Sequence, residues 1–280
     1  MLPSNIIHLN EIADERLCAY RDLTDHELRR ALEDERGIFI AESKLVVERA
    51  CACGVEFESM LVEESKLASC EALFAQLAAD VPIYTLPAEE MSALAGYRVT
   101  RGVLAACRRP APRDARELAA SAPSAIVLED LVDTTNVGLV FRSAAALGAG
   151  CVLLSPTCAD PYSRRAMRVS MGTVLQVPWA YFEGPWPETA FSALEAAGAR
   201  TMAMALDERA KLLEEVGPAP DEKIALFFGN EAYGLSKGVL ERAGETVMIP
   251  MAHDVDSLNV AASAAVACWE LFARGRVRAQ

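Results

Sequence analysis

The chain has 280 residues, 52 % of them hydrophobic, which is enough for one large core or two ordinary ones and too much for a disordered chain. Lys and Arg number 27 against 40 Asp and Glu, a net charge of −13. The acidic excess is shared, with 12 basic and 19 acidic side chains in residues 1–110 and 15 and 21 in the rest, which excludes a broadly basic nucleic-acid binder. Any phosphate recognition must therefore be local and depend on shape. No apolar run has the roughly 18–20 residues of a membrane span. Met1-Leu2-Pro3-Ser4-Asn5 does not open a basic-then-apolar leader, so a soluble, cytoplasmic chain is expected. None of the eight cysteines forms a CxxC pair and there are only three histidines (His8, His26 and His253), so no metal site is expected.

In chain order, helical spacing appears first at Asp25 to Leu32 and at Glu42 to Ala52, the second with apolar Leu45, Val46 and Val47. Short strands are expected at Ile38-Phe39-Ile40, Ser59 to Val62, Ile83-Tyr84-Thr85 and Gly102 to Ala106. They make a small α/β module over residues 1–108 with no catalytic constellation. Arg98 and Arg101 near its end are candidates for nucleic acid or plain solvated cations. Residues 109–123, rich in proline, alanine and charge without an apolar period, read as a linker. From residue 124 to 280 strands at 125–129, 151–154, 200–205, 224–228 and 246–249 alternate with helices near 136–148, 163–171, 187–198, 235–242 and 258–274. That alternation is the pattern of an α/β domain with a mostly parallel sheet.

Three polar segments follow strands in this second domain. In Leu128 to Ala144 a strand ends in an Asp/Thr/Asn loop that caps a helix, with Asn136 at the helix start and Arg142 nearly two turns on. A capped helix with a surface arginine would look the same. In Leu226 to Ser236, Gly229 and Gly234 punctuate a strand-to-helix turn around Glu231 and let the backbone approach a ligand. It is neither a GxGxxG fingerprint nor a P-loop. In Val247 to Ala262 an apolar strand meets a polar loop and then a small-residue helix, which Asp256 or Ser257 could cap while Asn259 projects from its first turn. Tight packing alone would also explain the alanines. Arg164, Arg165 and Arg168 are the densest local cluster of cations in the domain and are candidates for phosphate contacts or a plain solvated face.

In this order within one domain, the segments resemble the three signature motifs of the SpoU (TrmH-like) family of RNA methyltransferases, part of the SPOUT superfamily. The matching residues are Asn136-Val137-Gly138 with Arg142, then Gly229-Asn230-Glu231-Ala232-Tyr233-Gly234-Leu235. Ile249-Pro250-Met251 leading to Ser257-Leu258-Asn259-Val260 completes the set. Arg168-Val169-Ser170-Met171-Gly172 is similar to the family's Ser-x-Gly segment, and the resemblance covers residues 125–274. Gly37 to Val46 is similar to the opening of the ribosomal-protein-L30e-like RNA substrate-binding domain often fused ahead of a SpoU domain.

The resemblance implies a C-terminal parallel sheet with a trefoil knot of the SPOUT type, preceded by a small α/β L30e-like domain. It implies a homodimer with the third-motif helix at the interface. It implies methyl transfer from S-adenosylmethionine to a ribose 2′-hydroxyl of ribosomal or transfer RNA. Backbone groups at Gly229, Ile249, Met251 and Leu258, with Ala205 as a further candidate, would hold the cofactor. Arg142 would activate the hydroxyl as a base or stabilise the forming alkoxide. Asn136, Ser257 and Asn259 would orient nucleotide and arginine, and Glu231 would fix the loop. The rivals are a noncatalytic RNA-binding protein that keeps the fold, an α/β enzyme using a nucleotide cofactor, and a base methyltransferase.

Overall fold

In the computed structural model, residues 3–24, 33–207, 210–219, 221–253 and 256–274 are described. The helix expected from Asp25 to Leu32 lies outside them. The chain folds as two units, Met1–Ala111 with Tyr162–Leu175, and Pro112–Pro161 with Gln176–Gln280.

In the N-terminal unit the apolar runs bounded by turn residues become strands. They are β1 (Ile6–His8), β2 (Ile38–Glu42), β3 (Phe57–Glu63), β4 (Ile83–Leu86) and β5 (Val103–Arg108). The sheet order is β1-β4-β3-β5-β2, parallel at β1/β4 and β4/β3 and antiparallel at β3/β5 and β5/β2. The unit's helices include α1 (Lys44–Ala52), α2 (Glu71–Phe74) and α3 (Ala88–Ala95). Helix α1 buries Val46, Val47 and Ala50, the i, i+1, i+4 face its sequence sets toward the core. Helix α3 ends at Gly96, whose φ of +76° supplies the left-handed cap. Strand β1, only three residues long, had no sequence signal.

The C-terminal unit opens with helix α4 (Ala115–Ser121), where a linker was expected. Asp114 caps it by accepting from the Arg116 and Glu117 N–H groups at 2.7 and 2.9 Å. Ala115 and Ala119 bury in the core, so a four-residue alanine spacing masked by charge and proline is what made the segment look unstructured. The following elements are β6 (Ser124–Leu128), α5 (Thr134–Leu147), β7 (Cys151–Leu154), α6 (Arg164–Val169), β8 (Trp179–Tyr181) and α7 (Glu188–Ala196). Then come β9 (Arg200–Met204), β10 (Lys211–Leu212), β11 (Ile224–Phe228), α8 (Lys237–Arg242), β12 (Glu245–Met248) and α9 (Val260–Cys268). A π-helical turn over Trp269–Ala273 continues α9.

Strands β6 to β12 form one seven-stranded, all-parallel sheet in the order β10-β12-β9-β11-β6-β7-β8. The fully buried runs of β6, β7 and β11 are what a sheet covered on both faces requires. The expected strands are all present; β8 and β10, three and two residues long, were not foreseen.

Helix α6, expected inside the C-terminal domain, belongs to the N-terminal unit together with the rest of Tyr162–Leu175. The segment is held there by stacking of Tyr162 on Phe39, with ring centroids 5.1 Å apart. The Arg49 guanidinium donates to the Met171 carbonyl at 2.5 Å. Arg164 donates to Glu42 at 2.7 Å and lies 4.3 Å from the centre of the Tyr97 ring.

Candidate active site

In an open parallel sheet, loops leaving the carboxyl ends of the strands gather along one edge, where ligands bind. Strands β12, β9, β11 and β6 are consecutive neighbours, and all three candidate motifs leave their carboxyl ends. The first motif follows β6. Asp130, at φ +53°, turns the chain there, and its N–H donates to the buried Ser155 hydroxyl at 2.9 Å. Asp133 then caps α5 by accepting from the Thr135 N–H at 2.6 Å, which sets Asn136 in the first turn. Asn136 is buried.

The second motif follows β11. Gly229 is required there for a reason other than ligand approach: an added Cβ would stand 2.2 Å from the Gly234 carbonyl carbon and 2.4 Å from the Leu235 nitrogen. The loop therefore crosses its own backbone at Gly229. It is closed by paired main-chain hydrogen bonds between Asn230 and Gly234, at 3.1 and 2.9 Å. The Asn230 side chain accepts from the Ala232 and Tyr233 N–H groups at 2.8 and 3.3 Å and donates to the Asp130 carbonyl at 2.8 Å, tying this loop to the first. Below it Glu129, buried at the end of β6, accepts from the Trp186 indole at 2.6 Å and from the Ser236 N–H at 2.7 Å.

The third motif follows β12. The cap of α9 is Asn259, not Asp256 or Ser257, because the helix starts at Val260 and the Asn259 side chain accepts from the Ala261 N–H at 2.9 Å. One hydrogen-bonded chain then joins all three motifs. Asn259 Nδ2 donates to Asn136 Oδ1 at 3.0 Å, and Asn136 Nδ2 donates to Glu231 Oε1 at 2.7 Å. Its direction is fixed at both ends. A backbone N–H can only donate and an ionised carboxylate can only accept, so each amide between them has one workable orientation.

Arg142 lies further along α5, exposed, and no side chain among the described residues pairs with it. Ser257 is exposed and likewise makes no side-chain hydrogen bond among the described residues. Ala205 follows β9 and donates its N–H to the Val247 carbonyl at 3.2 Å; Ile249 and Met251 follow β12. All three are half-buried. The geometry thus brings together Asn136, Glu231 and Asn259, and sets Ala205, Gly229, Ile249, Met251 and Leu258 on loops of the same edge. Glu129, Asn230 and Ser155 were missed as supports of that edge. Glu129 was legible only as a strand-end carboxylate, and nothing in sequence links Ser155 to a loop 25 residues earlier.

Residues 123–269 match the SpoU rRNA Methylase family. This chain belongs to that family. It is 38 % identical to an uncharacterized tRNA/rRNA methyltransferase of Mycobacterium tuberculosis over 92 % of this chain and 88 % of the relative. It is 26 % identical to the 23S rRNA (guanosine(2553)-2′-O)-methyltransferase RlmP of Bacillus subtilis, over 83 % of this chain and 88 % of that one. Its fold is similar to that of an AdoMet-bound rRNA methyltransferase of Sinorhizobium meliloti. The TM-score is 0.81 at 22 % identity, over 95 % and 97 % of the two chains. All three joined motifs lie within the matched residues. The seven-stranded parallel sheet agrees with the expected fold class.

The other expected cations are placed differently. Arg164 is committed to Glu42, a carboxylate only 4 % exposed, and to the Tyr97 ring. Arg168 reaches the same carboxylate at 3.7 Å with half its side chain in solvent, and Arg165 is exposed. Of the three, Arg164 works as a strut for the α6 segment.

Proposed function

We propose that this SpoU methylase transfers the methyl group of S-adenosylmethionine to a ribose 2′-hydroxyl of ribosomal or transfer RNA. The observation that carries the reading is the hydrogen-bonded chain Glu231–Asn136–Asn259, because it locks three separate loops into one site at the carboxyl edge of a parallel sheet. The name of the Bacillus subtilis relative, a ribose methyltransferase of 23S rRNA, supports the same chemistry.

The residues present fit the cofactor. Leu206 and Leu258 hold 52 % and 39 % of their surface in solvent on two loops of that edge, apolar area suited to an adenine face. Main-chain groups at Ala205, Gly229, Ile249, Met251 and Leu258 would hold it. When bound, the cofactor supplies an activated methyl group. The protein's share is to place the hydroxyl and to favour loss of its proton. Arg142 is suited to the second task as a permanent cation: a guanidinium does not deprotonate at neutral pH, so it acts by stabilising the developing alkoxide. Asn136 and Asn259 set the walls against which nucleotide and arginine are oriented, Glu231 anchors them, and Ser257 is free to meet the nucleotide.

The RNA body would be held in part by the N-terminal unit, where Arg98, Arg101, Arg165 and Arg168 are exposed. A homodimer is part of the proposal. The inner face of α9, with Ala261, Ala264 and Ala267, is buried within the chain, and α9 packs on α5. Its outer face leaves Ala262, Val266 and Trp269 exposed at spacings of four and three, an apolar stripe for a second copy.

The test is transfer from labelled S-adenosylmethionine into total cellular RNA, digested to nucleosides, with wild type and Arg142→Ala. Label in 2′-O-methyl nucleosides, falling about 10²–10³-fold in the variant, is expected. Label on a base would sink the ribose reading.

A further inference from the structure

Tyr233 is the most exposed large hydrophobic side chain of the described residues, at 88 %. Its backbone is held in place. Residues 230–234 are closed by the Asn230–Gly234 main-chain pair, Gly234 turns at φ +68°, and the Tyr233 N–H is itself bound by the Asn230 side chain. The rigid turn presents the ring two residues from Glu231, whose carboxylate is the end of the three-motif chain. On the adjoining loop, which Asn230 ties to this one through the Asp130 carbonyl, Val132 is 62 % exposed. Two apolar side chains are thus held out at the mouth of a site whose loops otherwise carry Asp130, Asp133 and Glu231. Arg142 on α5 apart, the charged side chains of these two loops are carboxylates, which disfavour phosphate. In a chain of net charge −13 the mouth needs a neutral means of holding RNA here. Aromatic stacking is that means: every base has a π-face, and a ring carried on a backbone already held by hydrogen bonds has only its side-chain torsions left to order on meeting one.

We propose that the Tyr233 ring is a stacking platform for a nucleobase of the RNA that enters the active site, a positioning role that rests on the RNA methyltransferase reading above. The ring fixes the base, and with it the ribose, while the loop beneath stays unchanged. The phenol hydroxyl has no part in this, so the aromatic face alone matters.

The experiment measures binding of a fluorescein-labelled pool of RNA hairpins with randomised loops, by anisotropy at several salt concentrations. Wild type, Tyr233→Ala and Tyr233→Phe are compared, with S-adenosylmethionine binding and oligomeric state recorded for each. Loss of stacking is expected to weaken the alanine variant about tenfold with an unchanged salt dependence. The phenylalanine variant should bind like wild type, and all three should take up the cofactor alike. Equal affinity of the alanine variant, or an equal loss in the phenylalanine variant, overturns the proposal. So does dissociation of a dimer on removing the ring, which would mean that it packs on a second copy. A wild type that does not bind the pool counts against it as well. Stacking-dependent binding by a wild type that methylates no RNA would sink the transfer reading and keep this one; ribose methylation with binding indifferent to Tyr233 would do the reverse.

Discussion

The Glu42 carboxylate in the N-terminal unit meets two guanidinium groups, whereas the Glu231 carboxylate in the C-terminal unit meets a neutral amide. Glu42 is buried and its charge is cancelled on the spot, with Arg164 also covered by the Tyr97 ring. Such a cluster holds chain segments together and leaves little charge for a ligand. Glu231 is exposed and accepts from the uncharged Asn136 amide, which in turn accepts from Asn259, so each hydrogen bond fixes direction without neutralising anything. The first cluster is scaffolding for the α6 segment; the second leaves an oriented polar wall. A cluster of cations in the sequence can thus be paired inside the fold with a distant carboxylate.

The sharpest way to break the second cluster while sparing the first is Gly229→Ala. The new Cβ would stand 2.2 Å from the Gly234 carbonyl carbon, so the backbone crossing must open and carry Glu231 away from Asn136. A loss of about 3 kcal/mol or more is expected in urea unfolding, together with loss of cofactor binding in calorimetry. Wild-type stability would mean that the crossing is not tight.

Glu42→Ala breaks the first cluster and spares the second. Removing one partner of a buried ion pair costs about 3–5 kcal/mol, and the part-exposure of Arg164 reduces this to about 2–3. Methyl transfer at saturating RNA should persist. A variant as stable as wild type would show that the arginines are not held by this carboxylate.

Asn136→Asp tests the direction of the amide chain. It sets a second carboxylate against Glu231, where a 2.7 Å donor stood, and should cost about 1–2 kcal/mol at neutral pH. Like charges that close raise one carboxyl's folded-state pKa, so the penalty is present above the unfolded value and shrinks on acidification through the carboxylate range. A penalty that is independent of pH would argue for a packing effect instead.

Much of the frame was legible because apolar runs bounded by glycine and proline specify buried parallel strands, as at Ala125 to Leu128 and Ile224 to Phe228. The short strands β1, β8 and β10 were not, since two or three residues carry no period. Helix α4 was hidden because the prolines and charges before it outweighed two buried alanines. At the site, Asn136, Glu231 and Asn259 could be singled out as polar residues at strand ends, but not their mutual contacts, which span 95 and 123 residues. The fate of Arg164 was hidden for the same reason: its partner Glu42 lies 122 residues away in the other half of the sequence.

The smallest structural effect is expected from the paired reversal of Arg98→Glu and Arg101→Glu. Both residues are exposed and make no side-chain ion pair or hydrogen bond among the described residues. Stability should therefore stay within about 0.5 kcal/mol of wild type. If these arginines touch phosphate, RNA affinity should drop, and the slope of log affinity against log salt should become shallower by about 2. This is the opposite signature from that expected on removal of the Tyr233 ring, a fall in affinity at constant slope. The two variants would separate the proposed electrostatic holding by the N-terminal unit from the proposed stacking on Tyr233. An unchanged slope would assign the arginines to solvent and leave Arg165 and Arg168 as the unit's remaining phosphate candidates.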